Sequence, residues 1–171
     1  LTFSNGKTET PYDDSDIETI HAIPSHASHK VIDTWIFDNT EEIRAAIIAP
    51  SCINGIGSGF FNKISQQIIV MAKAAAARGK AGWAGDRKDA IWNNVNINDL
   101  ADLYELLVEG LVNGTADYGK KGGWYFGATH EHTWFHASEL IAKELFQLGL
   151  VRTTEVSQFE SEYIRSEERR V

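Results

Sequence analysis

Trp92-Asn93-Asn94-Val95-Asn96-Ile97-Asn98-Asp99-Leu100-Ala101-Asp102-Leu103-Tyr104-Glu105-Leu106-Leu107-Val108-Glu109-Gly110-Leu111 changes its apolar period part-way along. Trp92, Val95 and Ile97 suit a short strand. From Leu100 onward, Leu103, Tyr104, Leu107, Val108 and Leu111 recur at the spacing of one helix face, which predicts a helix. Asn98 and Asp99 fall at the junction. Their short side chains suit the free N–H groups of a helix start, and the Asp99 charge suits the positive end of the dipole. A strand feeding a helix is half of an α/β crossover, so the stretch predicts an α/β fold. Polar residues at such a strand end are functional candidates, because α/β sheets take ligands outside the carboxyl ends of their strands.

The rest of the composition narrows the class. The 171 residues suffice for one domain with a core, and 43% hydrophobic with 23% charged residues is a globular balance rather than a disordered one. A net charge of −8 argues against a nucleic-acid partner, since no basic surplus exists to neutralise phosphates. Cys52 is the single cysteine, which excludes an internal disulfide and fits a reducing, cytoplasmic setting. No apolar run is long enough to cross a bilayer, so no membrane partner is expected. The first residue is Leu rather than Met, which raises the expectation of a fragment.

Taken in order, residues 1–28 read as a polar loop with an acidic run at Asp13, Asp14 and Asp16. Residues 28–38 predict a helix capped by Ser28, with Val31, Ile32, Trp35 and Ile36 on its inner face. Ile43 to Ala49, ended by Pro50, predicts a strand buried on both faces of a parallel sheet. Pro50-Ser51-Cys52-Ile53-Asn54-Gly55-Ile56-Gly57-Ser58-Gly59 then brings three glycines within five residues, a segment able to turn tightly and approach a ligand. It lacks the G-x-G-x-x-G spacing of a phosphate-binding turn. Phe60 to Arg78 predicts a helix with Ile64, Ile68, Met71, Ala72 and Ala75 inward and Gly79 as its stop. Gly82 to Asp86 reads as a short strand and turn, and Trp124-Tyr125-Phe126 as another strand. Beyond Leu150 a marginal surface helix around Phe159, Tyr163 and Ile164 is the most that the pattern supports.

His130, Glu131, His132 and His136 carry zinc-compatible donors. Their spacing matches no sharp ligand motif, however. A helix capped by Thr133 and running to Gln147, with Trp134, Ala137, Ile141, Leu145 and Leu148 inward and Gly149 as its stop, accounts for the same residues. No metal is expected.

Five stretches together carry a family resemblance. Val95-Asn96-Ile97-Asn98-Asp99-Leu100-Ala101 resembles the V-H-V-x-D-x-A segment of extended short-chain dehydrogenase/reductases, the NAD-dependent epimerase/dehydratase family. Pro50 to Gly57 is similar to that family's R-P-x-x-V-Y-G-x-G turn, with Ala49 for the arginine and Asn54 for the tyrosine. Gly82 to Val95 resembles its G-x-x-G-D-G-x-x-x-W-x-x-V block, and Gly127 to Trp134 its G-E-H-S-W turn. The fifth stretch is the helix start near His29. The resemblance covers residues 1 to 150. It implies the C-terminal part of a Rossmann-type parallel sheet, with residues 1–55 and 92–128 as α/β core and 56–91 and 129–171 as a small substrate-side subdomain.

The resemblance also implies a chemistry. It places NAD or NADP against Pro50, Ser51, Cys52 and Ile53, and a hydroxyl-bearing small molecule, such as a sugar nucleotide, against Asn54, Asn62, Trp92 and Asn96. A homodimer is compatible with it. The family's Tyr-x-x-x-Lys pair falls on His29 and Asp33. Histidine can move protons near neutral pH, and a carboxylate one turn later can orient its ring, while an ordinary helix-surface pair is the alternative reading. The Gly-rich turn and acidic ribose-binding residue of a dinucleotide site are not found in the 171 residues. An N-terminal βαβ half carrying them is therefore expected upstream. Two functions follow: an NAD(P)-dependent oxidoreductase or epimerase, or a regulator that senses NAD(P) on the same fold without turnover.

Overall fold

A computed structural model describes residues 11–39, 42–83 and 88–159. It is a mixed α/β structure with parallel strand pairs. In chain order the elements are α1 (Ile17–His21), α2 (Lys30–Asn39), β1 (Ile47–Pro50), β2 (Cys52–Asn54), α3 (Gln66–Arg78), β3 (Gly82–Trp83), β4 (Ile91–Asn96), α4 (Ile97–Asn113), β5 (Trp124–Gly127), β6 (His130–Thr133), α5 (Trp134–Gln147) and β7 (Ser157–Gln158). None of these helices is long and apolar enough to cross a membrane.

The chain separates into two compact units, with boundaries after Gly57, within β4 after Trp92 and within β6 after His130. In the first unit, β1 pairs in parallel with β5, Ile47 opposite Trp124 and Pro50 opposite Gly127. β2 pairs in parallel with β4, Cys52 opposite Asn94 and Asn54 opposite Asn96. The core here is Ile20, Ile23, Ala27, Phe37 and Trp124, with Ile36, Ile47, Ala49 and Phe126 packed around them.

Several details depart from the sequence pattern. The segment before α2 is not a simple loop: α1 and the turns after it bury Ile20, Ile23 and Ala27 in that core. α2 is also rotated relative to its expected face. Lys30 and Phe37, seven residues apart and therefore on one side of the helix, turn toward Trp124, while Val31, Ile32 and Trp35 are exposed. Residue type alone favoured the other face; the position of Trp124 decided between them. β1 begins at Ile47 rather than Ile43 and is half-buried rather than buried on both faces.

The strand-to-helix junction holds, two residues earlier than expected. Ile97 is already helical, and the cap is Asn96, whose Oδ1 accepts from Asn98 N–H at 2.9 Å. Asp99 sits in the first turn, where its charge suits the dipole. Leu100 and Leu107 are buried, whereas Tyr104 and Val108, on the next strip of the helix, are exposed. At the far end of α4, the Arg44 guanidinium donates to the carbonyls of Leu111 and Val112, satisfying acceptors that the last turn leaves open.

The second unit is built on small residues. Ala75 of α3 and Ala142 of α5 are fully shielded, and with Ala81 and Val151 they form its core, flanked by Ile141, Leu145 and Val156. The alanine run of α3 is thus a packing surface. α3 starts at Gln66, six residues later than its apolar pattern suggested, leaving Phe60, Phe61 and Ile64 exposed. In α5, Thr133 is the cap, its Oγ1 accepting from His136 N–H at 3.0 Å, but Leu148 is exposed. The stretch after Leu150 buries Val151 and forms β7 beside β3, and the surface helix expected around Phe159, Tyr163 and Ile164 falls almost wholly outside the described residues. Tyr163 and Ile164, like Ala84 to Asp86, lie outside the described residues.

Gly82 is where this unit tolerates no side chain. A Cβ there would lie 2.2 Å from the Ser157 carbonyl oxygen, a backbone atom of the paired strand. The fully buried Ser138 hydroxyl adds a tie, 2.8 Å from the Gly82 carbonyl and 2.7 Å from that of Trp134. Gly82→Ala should therefore force β3 and β7 apart and cost about 1–3 kcal/mol, the usual range for overpacking. Gly59→Ala, at a position with open space around it, should leave the melting temperature unchanged. Thermal denaturation of the two variants side by side measures the difference.

Candidate functional site

In the first unit, the carboxyl ends of β1, β2, β4 and β5 carry most of the polar groups singled out from the sequence. Ser51 links two of them: its N–H donates to the Gly127 carbonyl at 3.0 Å, and its hydroxyl donates to the same oxygen at 2.8 Å. Pro50 is exposed at the end of β1, and Ile53 and Asn54 are half-buried. Cys52 is buried, 2% exposed, so its side chain belongs to the packing and only its backbone borders the strand ends. Burial pushes its thiol above the ordinary pKa. Such a thiol is inert rather than nucleophilic.

Gly55 follows at φ +97°, a backbone conformation that glycine adopts without strain. A Cβ there would lie 3.1 Å from Asn96 Nδ2 and 3.3 Å from Ile97 Cγ2, so the turn packs closely on the start of α4. Asn54 is opposite Asn96 in the strand register. The Asn96 carbonyl oxygen is committed to capping α4, which leaves its amide N–H groups as the donors it can offer a ligand. Asn54, Gly55 and Asn96 thus meet at the carboxyl ends of β2 and β4, while Pro50 and Ser51 lie at the carboxyl end of the β1–β5 pair.

His29 and Asp33 are neighbours on α2. His29 lies just before the helix at φ +69°, exposed, and its carbonyl accepts from Asp33 N–H at 2.9 Å. Burial pushes the Asp33 carboxyl above its ordinary pKa, with the charges of His29 and Lys30 opposing the shift. The other two candidates, Asn62 and Trp92, belong to the second unit. Asn62 is exposed at φ +44°, and the Trp92 ring centroid lies 6.3 Å from that of Trp134.

Two residues that sequence reasoning passed over are part of this region's framework. Lys30 is half-buried, donates from Nζ to the Ile20 carbonyl at 2.8 Å, and stands 5.8 Å from the Trp124 ring centroid. Burial pushes its pKa down, opposed by Asp33. Asp14, from the acidic run, accepts from Phe126 N–H of β5 at 2.6 Å. Neither had a signal in the sequence, since a lysine beside a histidine and an aspartate in an acidic run read as solvated charges.

His132 of β6 and His136 of α5 make local contacts. His132 stands edge-on to Trp134, centroids 4.9 Å apart, and His136 Nδ1 is 3.5 Å from Glu139. Burial, followed by the neighbouring His136, pushes the His132 pKa down. Among the described residues, no three side chains of metal-ligating type converge. No protein-family model matches the chain, and no curated protein matches it either.

Two outcomes follow from this geometry. A chelator should leave the melting temperature unchanged; a structural zinc contributes many kcal/mol to folding, so a large loss on chelation would reveal one. For Asp33, the sign follows from a raised folded-state pKa. The carboxyl favours folding fully below its unfolded value of 3.8, and that contribution is lost as pH rises through the higher folded value. Asp33→Asn should therefore melt above the parent at pH 7, with the gap closing as the pH is lowered toward 3.8.

Proposed function

We propose that this chain carries the nicotinamide-side and substrate-side part of an NAD(P)-dependent oxidoreductase or epimerase of the extended short-chain type, built on a Rossmann-type sheet and acting on a hydroxyl-bearing small molecule. The observation that carries the reading is the meeting of Asn54 and Gly55 with Asn96 at the carboxyl ends of the parallel strands β2 and β4. Ligands of open α/β sheets bind at such ends. The resemblance of the same residues to the family's nicotinamide-side turn supports it.

The residues suit one end of the cofactor only. Gly55 lets the backbone approach closely, and the carboxamides of Asn54 and Asn96 offer neutral hydrogen-bonding groups for a carboxamide or hydroxyl. A pyrophosphate needs a free helix N-terminus or a glycine nest. Behind β4 that position is closed, because the Asn96 side chain occupies the first turn of α4. The pyrophosphate would therefore be held away from the start of α4. When bound, NAD(P) would supply the hydride acceptor or donor.

The chain's own contribution would be proton transfer. His29 is exposed and one turn from Asp33, so its ring can accept the substrate hydroxyl proton while the carboxylate stabilises the imidazolium. A second reading has its own observation. By the family resemblance, His29 and Asp33 would take the places of the tyrosine and lysine, and that replacement would suit a protein that binds NAD(P) as a regulator without turnover.

Activity measurements on the longest natural chain containing these residues separate the two readings. His29→Ala should lower kcat roughly 10²–10⁴-fold while leaving cofactor affinity nearly intact. His29→Tyr combined with Asp33→Lys should recover more activity than either change alone, because the pair acts as a unit. Full activity in His29→Ala would remove His29 from the chemistry. Cofactor binding without NAD(P)H formation from any hydroxyl substrate, unchanged by both substitutions, would favour the regulator.

A further inference from the structure

The second unit contains a cleft of about 420 Å³ that the proposed chemistry does not use. Gln66, Gln67, Val70 and Met71 from the first two turns of α3 form one wall, and Trp134 and Phe159 form the other. The volume lies within the range of small-molecule sites, which are mostly apolar with a few placed polar groups. Among the described residues lining it, none carries a charge.

Its aromatic walls are held from behind. Trp134 is backed by Trp92, centroids 6.3 Å apart, and meets the edge of His132 at 4.9 Å. Phe159 N–H donates to the Trp83 carbonyl at 2.8 Å, and the Arg78 guanidinium lies 5.1 Å from its ring centroid. Both rings are therefore positioned by contacts that any ligand would leave in place, and little ordering cost would fall on binding. Gln66 and Gln67 supply the carboxamides among these residues, and a carboxamide both donates and accepts.

We propose that this cleft binds a neutral, ring-bearing small molecule that carries a hydroxyl or carbonyl group. The ring would lie among Trp134, Phe159, Val70 and Met71, and the polar group would meet the carboxamide of Gln66 or Gln67. Phosphorylated ligands are disfavoured here, because no described lining residue is a cation and the Arg78 guanidinium is already engaged by Ser157, the Gln158 carbonyl and the Phe159 ring, so a phosphate would leave water without a free cation to pair it. This site stands independently of the oxidoreductase reading, since it concerns binding in the absence of cofactor.

The test is titration of the 171-residue chain with 2-naphthol and with 2-naphthyl phosphate, which share a ring and differ in charge. Saturable one-to-one binding of 2-naphthol is expected, with the phosphate at least tenfold weaker. Val70→Trp fills the cleft from a position already 51% exposed, so it should weaken 2-naphthol at least tenfold without lowering the melting temperature. Gln67→Leu, also at an exposed position, should weaken it severalfold and serves if the first variant fails to fold. Absence of saturable 2-naphthol binding would overturn the proposal. So would equal or tighter binding of the phosphate, or 2-naphthol affinity that a folded Val70→Trp or Gln67→Leu leaves unchanged.

Discussion

The parallel pairing of β1 with β5 is the constraint on which the first unit depends. Two parallel strands cannot be joined by a tight turn, so the chain must leave and return through a long connection. Here that connection runs from Pro50 to Trp124 and contains α3, β4 and α4. The pairing brings Pro50 opposite Gly127, and Ser51 ties the two ends through the Gly127 carbonyl. At the other end, Trp124 forms the floor on which Phe37, Ile20 and Lys30 settle. Strand ends that carry the candidate polar groups and strand starts that face the core are thus two consequences of one register.

The second unit solves its packing differently. Its core rests on alanines, which carry little hydrophobic surface each but let helix backbones approach closely. Close approach makes the unit sensitive to single added carbons, as at Gly82, and it fixes the backbone carbonyls that Ser138 needs. The larger apolar residues of α3 are then left at the rim, where Val70 and Met71 border the cleft with Trp134 and Phe159. A core of small residues and a cleft lined by large ones are two sides of the same choice of packing.

Much of the local structure was legible because it is set by short-range rules. The period change near Leu100 located a strand followed by a helix; Thr133 and Gly79 marked a start and a stop. Of the candidate site, the turn from Pro50 to Gly55 was legible from its proline and glycines, and Asn96 from its place at a strand end. The details that failed were those that need a neighbour. The cap of α4 moved to Asn96 because the strand's hydrogen bonding to β2 ends there, not at Asn98. The buried face of α2 was misjudged because hydrophobicity favours Val31, Ile32 and Trp35, while Trp124 lies on the Lys30–Phe37 side. Lys30 and Asp14 gave no signal because their partners, the Ile20 carbonyl and the Phe126 N–H, are backbone groups brought near only by folding.

The sequence by itself determined the alternation of strands and helices, the Thr133 cap and the Gly79 stop, and the proline- and glycine-rich turn after β1. These follow from backbone propensities, capping chemistry and side-chain period, which act over a few residues. Only the tertiary structure decided which strands pair, which face of each helix is covered, and that Cys52 is buried while the neighbouring Asn54 borders the strand ends. It also decided that Gln66, Trp134 and Phe159, remote from one another in sequence, share one cleft. Those outcomes depend on long-range contacts, and a residue's type does not specify the partner that will face it.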